Sequence, residues 1–227
     1  MHEILKEAVV QRKNLLEPEA MQLFAAYNIP TPGFGLAKTK EEAASVAEAI
    51  GFPVVLKVVS PDILHKSDVG GVKVGLGDVG AVKKAYEEIL DSVVQKVPEA
   101  EVAGVLVATQ APKGLECIIG MTKDPQFGPA LMFGLGGIYV EVFKDISFRV
   151  LPLTQKDAEE MIAETKGYQL LKGIRGEEPK DINALVEVLL KVARMVEENP
   201  QIEEIDINPL VVYEKGVLAL DARVIKG

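Results

Sequence analysis

Apolar residues recur along the chain in two spacings, one typical of helices and one typical of buried strands. Positions that repeat every three to four residues predict helices at Lys40–Ile50 and Val79–Val94. Short continuous apolar runs predict buried strands at Val54–Val59 and Gly104–Thr109. The longest helical stripe follows Asp181, a suitable cap, and consists of Ile182, Leu185, Val186, Leu189, Ala193 and Val196. Strands therefore alternate with helices, which predicts an α/β fold.

Shorter runs predict the remaining elements. At the C-terminal end, Val211–Tyr213 and Val217–Ala222 flank a turn at Lys215-Gly216 and predict a hairpin. Pro98 and the acidic run that follows it predict a boundary between two lobes. Further strands are expected at Phe34–Ala37, Val72–Gly75, Leu115–Met121, Ala130–Phe133 and Phe148–Leu153, and further helices at Met1–Leu16, Glu17–Asn28 and Gln155–Thr165.

The composition is that of an ordinary soluble globular protein, with 48% apolar and 26% charged residues. The net charge of −9 argues against nucleic acid as a partner. Cys117 is the only cysteine, so we expect no internal disulfide and a cytoplasmic location. The first residues lack the apolar core of a signal peptide, and no run approaches the length of about 20 apolar residues that spans a bilayer, so we expect no membrane association.

The stretch Ser60–Val74, SPDILHKSDVGGVKV, is the most informative part of the chain. It contains His65, one of only two histidines, in a polar loop between two strand-like runs. Pro61 near its start and Gly70-Gly71 near its end are typical of a loop that can move, and a neutral imidazole can act as a nucleophile. The alternative is an ordinary surface histidine, which is the more frequent case when the residue is judged alone.

Two further groups of polar residues have possible chemical roles. Lys57 lies in an apolar strand, where an ammonium needs an anion, either a ligand in a cleft or an internal salt-bridge partner. Asp206 and Asn208 are two residues apart and so share a strand face, and we expect Asp221 on the returning strand to reach the same place. Such oxygen donors suit Mg²⁺ with phosphates, although hairpin residues that merely face solvent would have the same sequence.

The glycine-rich motifs do not identify a phosphate loop. No GxxxxGK[ST] sequence occurs, and the glycines of FGLGG at 133–137 do not form GxGxxG. FGLGG is as compatible with a tight turn as with a phosphate cradle.

The motifs SPDILHKSDVGGVKV, DPQFGPALMFGLGG, SFRVLPL, EIDINPLVV and LALDAR together resemble the ATP-grasp β subunit of ADP-forming acetate–CoA ligase (acetyl-CoA synthetase). The resemblance covers essentially the whole chain, and the β subunit of succinyl-CoA synthetase is a more distant relative. It implies an ATP-grasp fold of two α/β lobes with ADP or ATP between them and Mg²⁺ as cofactor. It also implies reversible formation of ATP from acyl-CoA, ADP and phosphate.

The resemblance implies roles for individual residues. His65 matches a mobile phosphohistidine, and Asp206 matches the carboxylate that stabilises it at the nucleotide. Asn208 and Asp221 match the metal ligands. The nucleotide-binding positions are Lys57 for the phosphates, the backbone at Ala108, Thr109 and Ala111 for adenine, and Glu116 for ribose. In succinyl-CoA synthetase the loop after the lysine strand has no histidine, so contacts in that loop should not be transferred.

The implied organisation is a helical segment at 1–20 that packs on the second lobe, a first lobe at 21–103 with the histidine loop, and a second lobe at 104–227 with the Mg²⁺ and nucleotide site. The implied partner is a CoA-binding α subunit, in an α2β2 or related heteromer. Two alternatives stay open at this point. One is a regulatory ATP-grasp module without turnover, and the other is a self-sufficient ATP-grasp ligase that needs neither histidine nor partner.

Overall fold

The computed structural model describes residues 2–11, 13–137, 144–174 and 176–227 and divides the chain into two compact units. Unit 1 comprises Met1–Thr31 and Lys113–Gly227, and unit 2 comprises Pro32–Pro112. The helices are α1 (Glu3–Gln11), α2 (Glu17–Ala26), α3 (Lys40–Ile50), α4 (Val79–Lys96), α5 (Gln155–Ala163), α6 (Tyr168–Leu171) and α7 (Ile182–Glu198). The strands are β1 (Phe34–Ala37), β2 (Val54–Val59), β3 (Val72–Leu76), β4 (Gly104–Thr109), β5 (Leu115–Asp124), β6 (Gly128–Leu135), β7 (Ile146–Val150), β8 (Ile202–Val212), β9 (Val217–Ala219) and β10 (Arg223–Lys226).

Unit 2 is an antiparallel sheet of order β1-β4-β2-β3 with α3 and α4 packed on one face. Both helices begin where the sequence supplies a cap. The Thr39 side chain accepts the Glu42 N–H at 3.1 Å, and Asp78 Oδ1 accepts the Ala81 N–H at 2.8 Å. Alternate residues of β2 enter the core beneath the helices, namely Val54, Leu56 and Val58.

The division of the chain differs from the predicted lobe boundary at 103/104. Strand β4 belongs to the sheet of unit 2, because it pairs with β1 through Phe34–Ala108 and with β2 through Val54–Thr109. The helices α1 and α2 fall in unit 1, where α2 contacts β10. The boundary signal at Pro98 marks only the turn between α4 and β4.

Unit 1 is built on an antiparallel sheet of order β10-β8-β5-β6-β7. Its longest strand, β8, pairs with β5 along one edge. Along the other edge it pairs with β10 near its start, through Arg223–Asp206, and with β9 near its end, through Leu210–Ala219. Two strands therefore lie end to end along one edge of β8, and the segment 220–222 joins them.

One face of this sheet is buried in the core, and the other is buried at Ile118 and Gly120 but exposes side chains around them. Cys117, Ile119 and Met121 of β5 alternate with Glu116, Ile118 and Gly120, and the first set is buried together with Leu131, Phe133 and Leu135 of β6. Helix α5 packs on β6, β7 and α7, on the buried side. The opposite side, which includes Glu116 and Asp206, is called the open face below.

The elements predicted from apolar spacing are largely confirmed. Lys40–Ile50, Val54–Val59 and Gly104–Thr109 have the predicted bounds, and α1 is shorter than the predicted Met1–Leu16, of which Met1 and Arg12 lie outside the described residues. None of the helices in the described ranges has both the length and the apolar character that a membrane span requires.

Candidate functional site

Lys57 lies at the centre of the sheet of unit 2. It pairs with Val72 on β3 and with Leu106 on β4, so β2 is flanked on both sides at this residue. Because Leu56 and Val58 enter the core beneath the helices, the Lys57 side chain leaves the sheet on the opposite face. It is half-buried there. A lysine in this position carries its charge to the face that α3 and α4 leave uncovered.

His65 is exposed at the tip of the loop that joins β2 to β3. The loop is anchored on both sides of the histidine. Before it, Ile63 is only 6% exposed and belongs to the core of unit 2, and Asp62 Oδ2 accepts the Glu101 N–H at 2.8 Å. Next to it, Leu64 is 66% exposed. The imidazole is thus accessible from solvent.

The second half of the loop is a turn bound to α4. The Gly71 N–H donates to the Lys66 carbonyl at 2.7 Å, and the Ser92 hydroxyl donates to the Val69 carbonyl at 2.7 Å. Gly70 has a φ of +70°, and a Cβ at Gly71 would lie 2.9 Å from the Lys66 carbonyl oxygen and would also clash with Val58. The two glycines are therefore required by this arrangement of the loop.

The predicted adenine-binding backbone lies where β4 ends and the chain leaves unit 2. Ala108 is buried between Phe34 of β1 and Val55 of β2. The Thr109 N–H donates to the Gly33 carbonyl at 2.9 Å. Ala111 follows in the extended link after β4 and is half-buried.

Glu116 is exposed on the open face of unit 1, near the start of β5. The Gly136 N–H donates to its carbonyl at 2.7 Å, and a Cβ at Gly136 would lie 2.9 Å from the Glu116 Cβ. The glycine in FGLGG therefore allows the backbone of the β6 end to approach β5.

Asp206 lies on the open face between Gly120 of β5 and Arg223 of β10. Burial raises the pKa of its carboxyl group, and the negative charge of Asp221 raises this pKa further, whereas the positive charge of Arg223 acts in the opposite direction. Two carboxylates are therefore close together and partly removed from water. This is the environment in which a cation or a hydrogen-bond donor is most strongly attracted.

The predicted position of Asp221 on the returning strand is wrong. It lies between β9, which ends at Ala219, and β10, which begins at Arg223. The Leu220 N–H donates to the Pro209 carbonyl at 3.0 Å, and Arg223 pairs with Asp206, so Asp221 runs alongside residues 207–208 of β8. Strand β8 pairs with β10 near its start and with β9 near its end, so there is no continuous hairpin. Asp221 lies between these two partner strands, which brings it to Asp206 and Asn208.

The donor set at this point fits Mg²⁺. Asn208 is exposed, and Ile205 and Ile207 are buried, so Asn208 shares the open face with Asp206. In the described ranges no group of three or more His, Cys, Asp and Glu side chains could hold a metal ion by itself. Mg²⁺ is usually held by one or two carboxylates or amides together with waters and substrate phosphates, and Asn208 with Asp221 is a set of this kind.

The structure groups the predicted residues within each unit. Lys57, His65, Ala108, Thr109 and Ala111 belong to unit 2, and Glu116, Asp206, Asn208 and Asp221 belong to unit 1. On the open face, Glu116 and the β5 residue that pairs with Asp206 are four positions apart. These two positions are therefore about 14 Å apart along the strand.

The sequence interpretation missed two features of the open face. Phe148 is 51% exposed and Val150 is 47% exposed on the edge strand β7, beside Met132 of β6, so the open face has an apolar half next to its polar half. The sequence predicted a strand at Phe148–Leu153, but it did not reveal that these two apolar side chains would be exposed. The second feature, Arg223, became apparent only from strand pairing.

Comparison with known proteins places the chain among nucleotide-dependent ligases. The profile of the ATP-grasp domain matches residues 6–225. The β subunit of the ADP-forming acetate–CoA ligase I of Pyrococcus furiosus is 48% identical over 223 residues, which are 98% of this chain and 96% of that subunit.

Solved structures of acetyl-coenzyme A synthetase 1 from Candidatus Korarchaeum cryptofilum superpose over 99% of this chain and 99% of theirs. One, at 49% identity and a TM-score of 0.92, contains coenzyme A, acetyl-coenzyme A and a phosphorylated phosphohistidine segment. Another, at 47% identity and a TM-score of 0.88, contains coenzyme A and Mg-AMPPCP, with the phosphohistidine segment pointing towards the nucleotide-binding site.

Proposed function

We propose that this chain, which belongs to the ATP-grasp family of ADP-forming acetate–CoA ligase β subunits, is the nucleotide-binding subunit of an ADP-forming acyl-CoA synthetase. The predicted family and the ATP-grasp fold are confirmed. The reaction is the reversible conversion of acyl-CoA, ADP and phosphate into the free acid, CoA and ATP.

The observation that carries this proposal is the exposed imidazole of His65 at the tip of an anchored loop. The exposure excludes a histidine that is satisfied in the core, and the anchored loop with its two required glycines favours a functional side chain over an ordinary surface histidine. A neutral imidazole is nucleophilic near pH 7, and its phosphoramidate is reactive enough to pass the phosphoryl group on. The phosphohistidine segment in the Korarchaeum structures supports the same role.

Before transfer to ADP, His65 is phosphorylated on one ring nitrogen and protonated on the other. The N–P bond breaks while a P–O bond forms to a terminal oxygen of ADP. The ring keeps its remaining proton and leaves as neutral imidazole. The Asp206 carboxylate accepts a hydrogen bond from this N–H, which fixes the tautomer and stabilises the positive ring before transfer.

The proposed nucleotide-binding residues each have a separate role. Lys57 binds the phosphates, the backbone at Ala108, Thr109 and Ala111 binds adenine, and Glu116 binds the ribose hydroxyls. The half-exposed position of Lys57 on the uncovered sheet face and the exposure of Glu116 on the open face support these assignments.

Asn208 and Asp221 would hold Mg²⁺. When bound, Mg²⁺ neutralises charge on the phosphates. Asp221 is oriented for this by its own backbone, since its Oδ1 accepts the Ala222 N–H at 2.9 Å.

A partner subunit completes the enzyme. The Pyrococcus relative is named as a β subunit, which supports an assembly with an α subunit that binds CoA and the acyl group. We propose an α2β2 or related heteromer in the cytoplasm, where the single buried thiol of Cys117 stays reduced.

The test is phosphoprotein formation from labelled ATP in the complex of this chain with its co-purifying partner. We expect an acid-labile, base-stable phosphoprotein on this chain. His65→Ala should abolish it together with ATP synthesis while leaving ADP binding intact. His2→Ala, which alters the other histidine, is the matched control and should label like the wild type. If the His65→Ala complex makes ATP from acetyl-CoA at a near-normal rate, the phosphohistidine role fails and a self-sufficient ligase is favoured.

A further inference from the structure

Arg223 occupies the register position next to Asp206 on the open face. It is the first residue of β10 and lies directly opposite Asp206 of β8, and opposed residues of antiparallel strands project to the same side. It also follows Asp221 by two residues. The guanidinium is therefore close to the Asp206 carboxylate, and its charge acts on the pKa of Asp206.

The contacts of Arg223 leave most of its donors available. Its Nη1 lies 3.7 Å from Glu204 Oε1, and the two side chains are 47% and 43% exposed. A separation of 3.7 Å is longer than a hydrogen bond, and the guanidinium has five N–H donors. An exposed ion pair of this kind contributes about 0–1 kcal/mol to stability, so the pair with Glu204 has little effect on the stability of the fold.

The charges around Asp206 require a cation when a phosphoryl group arrives. Asp206, Asp221 and Glu204 are all acidic, and a phosphoryl group carries two further negative charges. Asn208 and Asp221 would hold the metal that neutralises the nucleotide, on one side of Asp206. Arg223 lies on the other side, along β10, where no metal ligand has been assigned.

We propose that Arg223 is a catalytic residue that binds the phosphoryl group during its transfer between His65 and ADP. This inference rests on the proposed function. The planar guanidinium can donate two parallel N–H bonds to the phosphoryl oxygens, and these bonds strengthen as charge develops in the transition state. Asp206 and Arg223 then form a pair in which the carboxylate holds the ring and the guanidinium holds the phosphoryl group.

The experiment measures a single turnover in the complex with its partner. The complex is first phosphorylated on His65, Mg·ADP is added, and ATP is followed by rapid quenching. We expect Arg223→Gln to slow transfer about 100-fold or more, as the loss of a transition-state donor does. Arg223→Lys, which keeps a point charge but loses the bidentate geometry, should be slowed by a smaller factor. The affinity for Mg·ADP should change by less than about threefold, because ADP lacks the transferred group.

Two matched controls separate this role from a structural one. Glu204→Gln removes the ion-pair partner of Arg223, and Arg194→Gln removes one positive charge on the exposed surface of α7. Arg194→Gln should transfer within twofold of the wild type, Glu204→Gln should be slowed far less than Arg223→Gln, and Arg223→Gln should melt within about 2 °C of the wild type.

The inference is overturned if Arg223→Gln transfers within twofold of the wild type, or if Glu204→Gln slows transfer as much as Arg223→Gln does. If the wild-type complex does not label on His65 at all, it is the proposed function that fails, and the two failures are thereby distinguished.

Discussion

Removing one methylene group from Ile63 should weaken the anchor of the histidine loop. Ile63 is 6% exposed and packs in the core of unit 2. Ile63→Val should destabilise the anchored loop by about 0.5–1.5 kcal/mol, from lost burial and the small cavity left behind. In the opened loop Ile63 makes no core contact, so the substitution destabilises only the closed loop. Local opening should therefore become about 2- to 12-fold more frequent, at tenfold for each 1.4 kcal/mol.

Amide hydrogen exchange at Glu101 measures this opening. Its N–H donates to Asp62 Oδ2 at 2.8 Å, and Asp62 precedes Ile63, so release of the isoleucine should break this bond. The matched control is Leu64→Ala, which changes the neighbouring side chain, 66% exposed, and should leave the exchange rate within twofold of the wild type.

The reasoning fails if the Glu101 amide exchanges at the wild-type rate in Ile63→Val, because the loop would then not be held by this side chain. It also fails if Leu64→Ala has an equal effect, because burial would then not determine the anchor.

Four further outcomes are expected. Asp181→Ala should lower the free energy of unfolding by about 1–3 kcal/mol at pH 7, since its carboxylate accepts the Ala184 and Gly216 N–H groups, at 3.0 and 2.8 Å. These bonds lower the pKa of Asp181, so urea titrations should show the difference shrinking as the pH falls from about 4, where the unfolded carboxyl group titrates, through the lower pKa of the folded one. Asp221→Asn should weaken Mg·ADP binding in calorimetry far more than it lowers the melting temperature, and unchanged affinity would refute the metal assignment. A nucleotide-bound structure should show Lys57 at the phosphates and Glu116 at the ribose, and a separation of more than a few ångströms at either contact would count against them. In rapid-quench assays Asp206→Ala should slow the transfer of the phosphoryl group from His65 to ADP. If the variant lost His65 labelling to the same extent, this role of Asp206 would be contradicted.

Local signals were sufficient to predict most elements of the fold. Helix α3 was bounded correctly because Thr39 caps it and Gly51 follows its end, and both signals lie within the segment itself. Strand β5 was predicted to end at Met121 but continues to Asp124, because Thr122 pairs with Glu204 and Lys123 with Pro129 on its neighbours. Polar residues that extend a strand in this way depend on pairing and give no apolar signal.

Pairing between distant residues also explains what the sequence could not predict about the candidate site. Asp221 was recognised as a ligand by resemblance, but its place between two strands follows from β8 exchanging one partner for another. The closeness of Arg223 to Asp206 has the same origin, since 17 positions separate them along the chain. Likewise, the assignment of β4 to unit 2 depends on its contacts with β1 and β2, which Pro98 does not reveal.

The adjacency of β1 and β4 makes unit 2 an insertion with neighbouring ends. The chain enters it at Pro32 and leaves it at Pro112, while the segments before and after both belong to unit 1. The entering and leaving strands are paired at Phe34–Ala108, so they are about 5 Å apart, one strand spacing. Any domain joined at either end of this chain is therefore connected to unit 1, and the histidine-bearing unit could be exchanged between relatives as one continuous block through a single two-stranded junction.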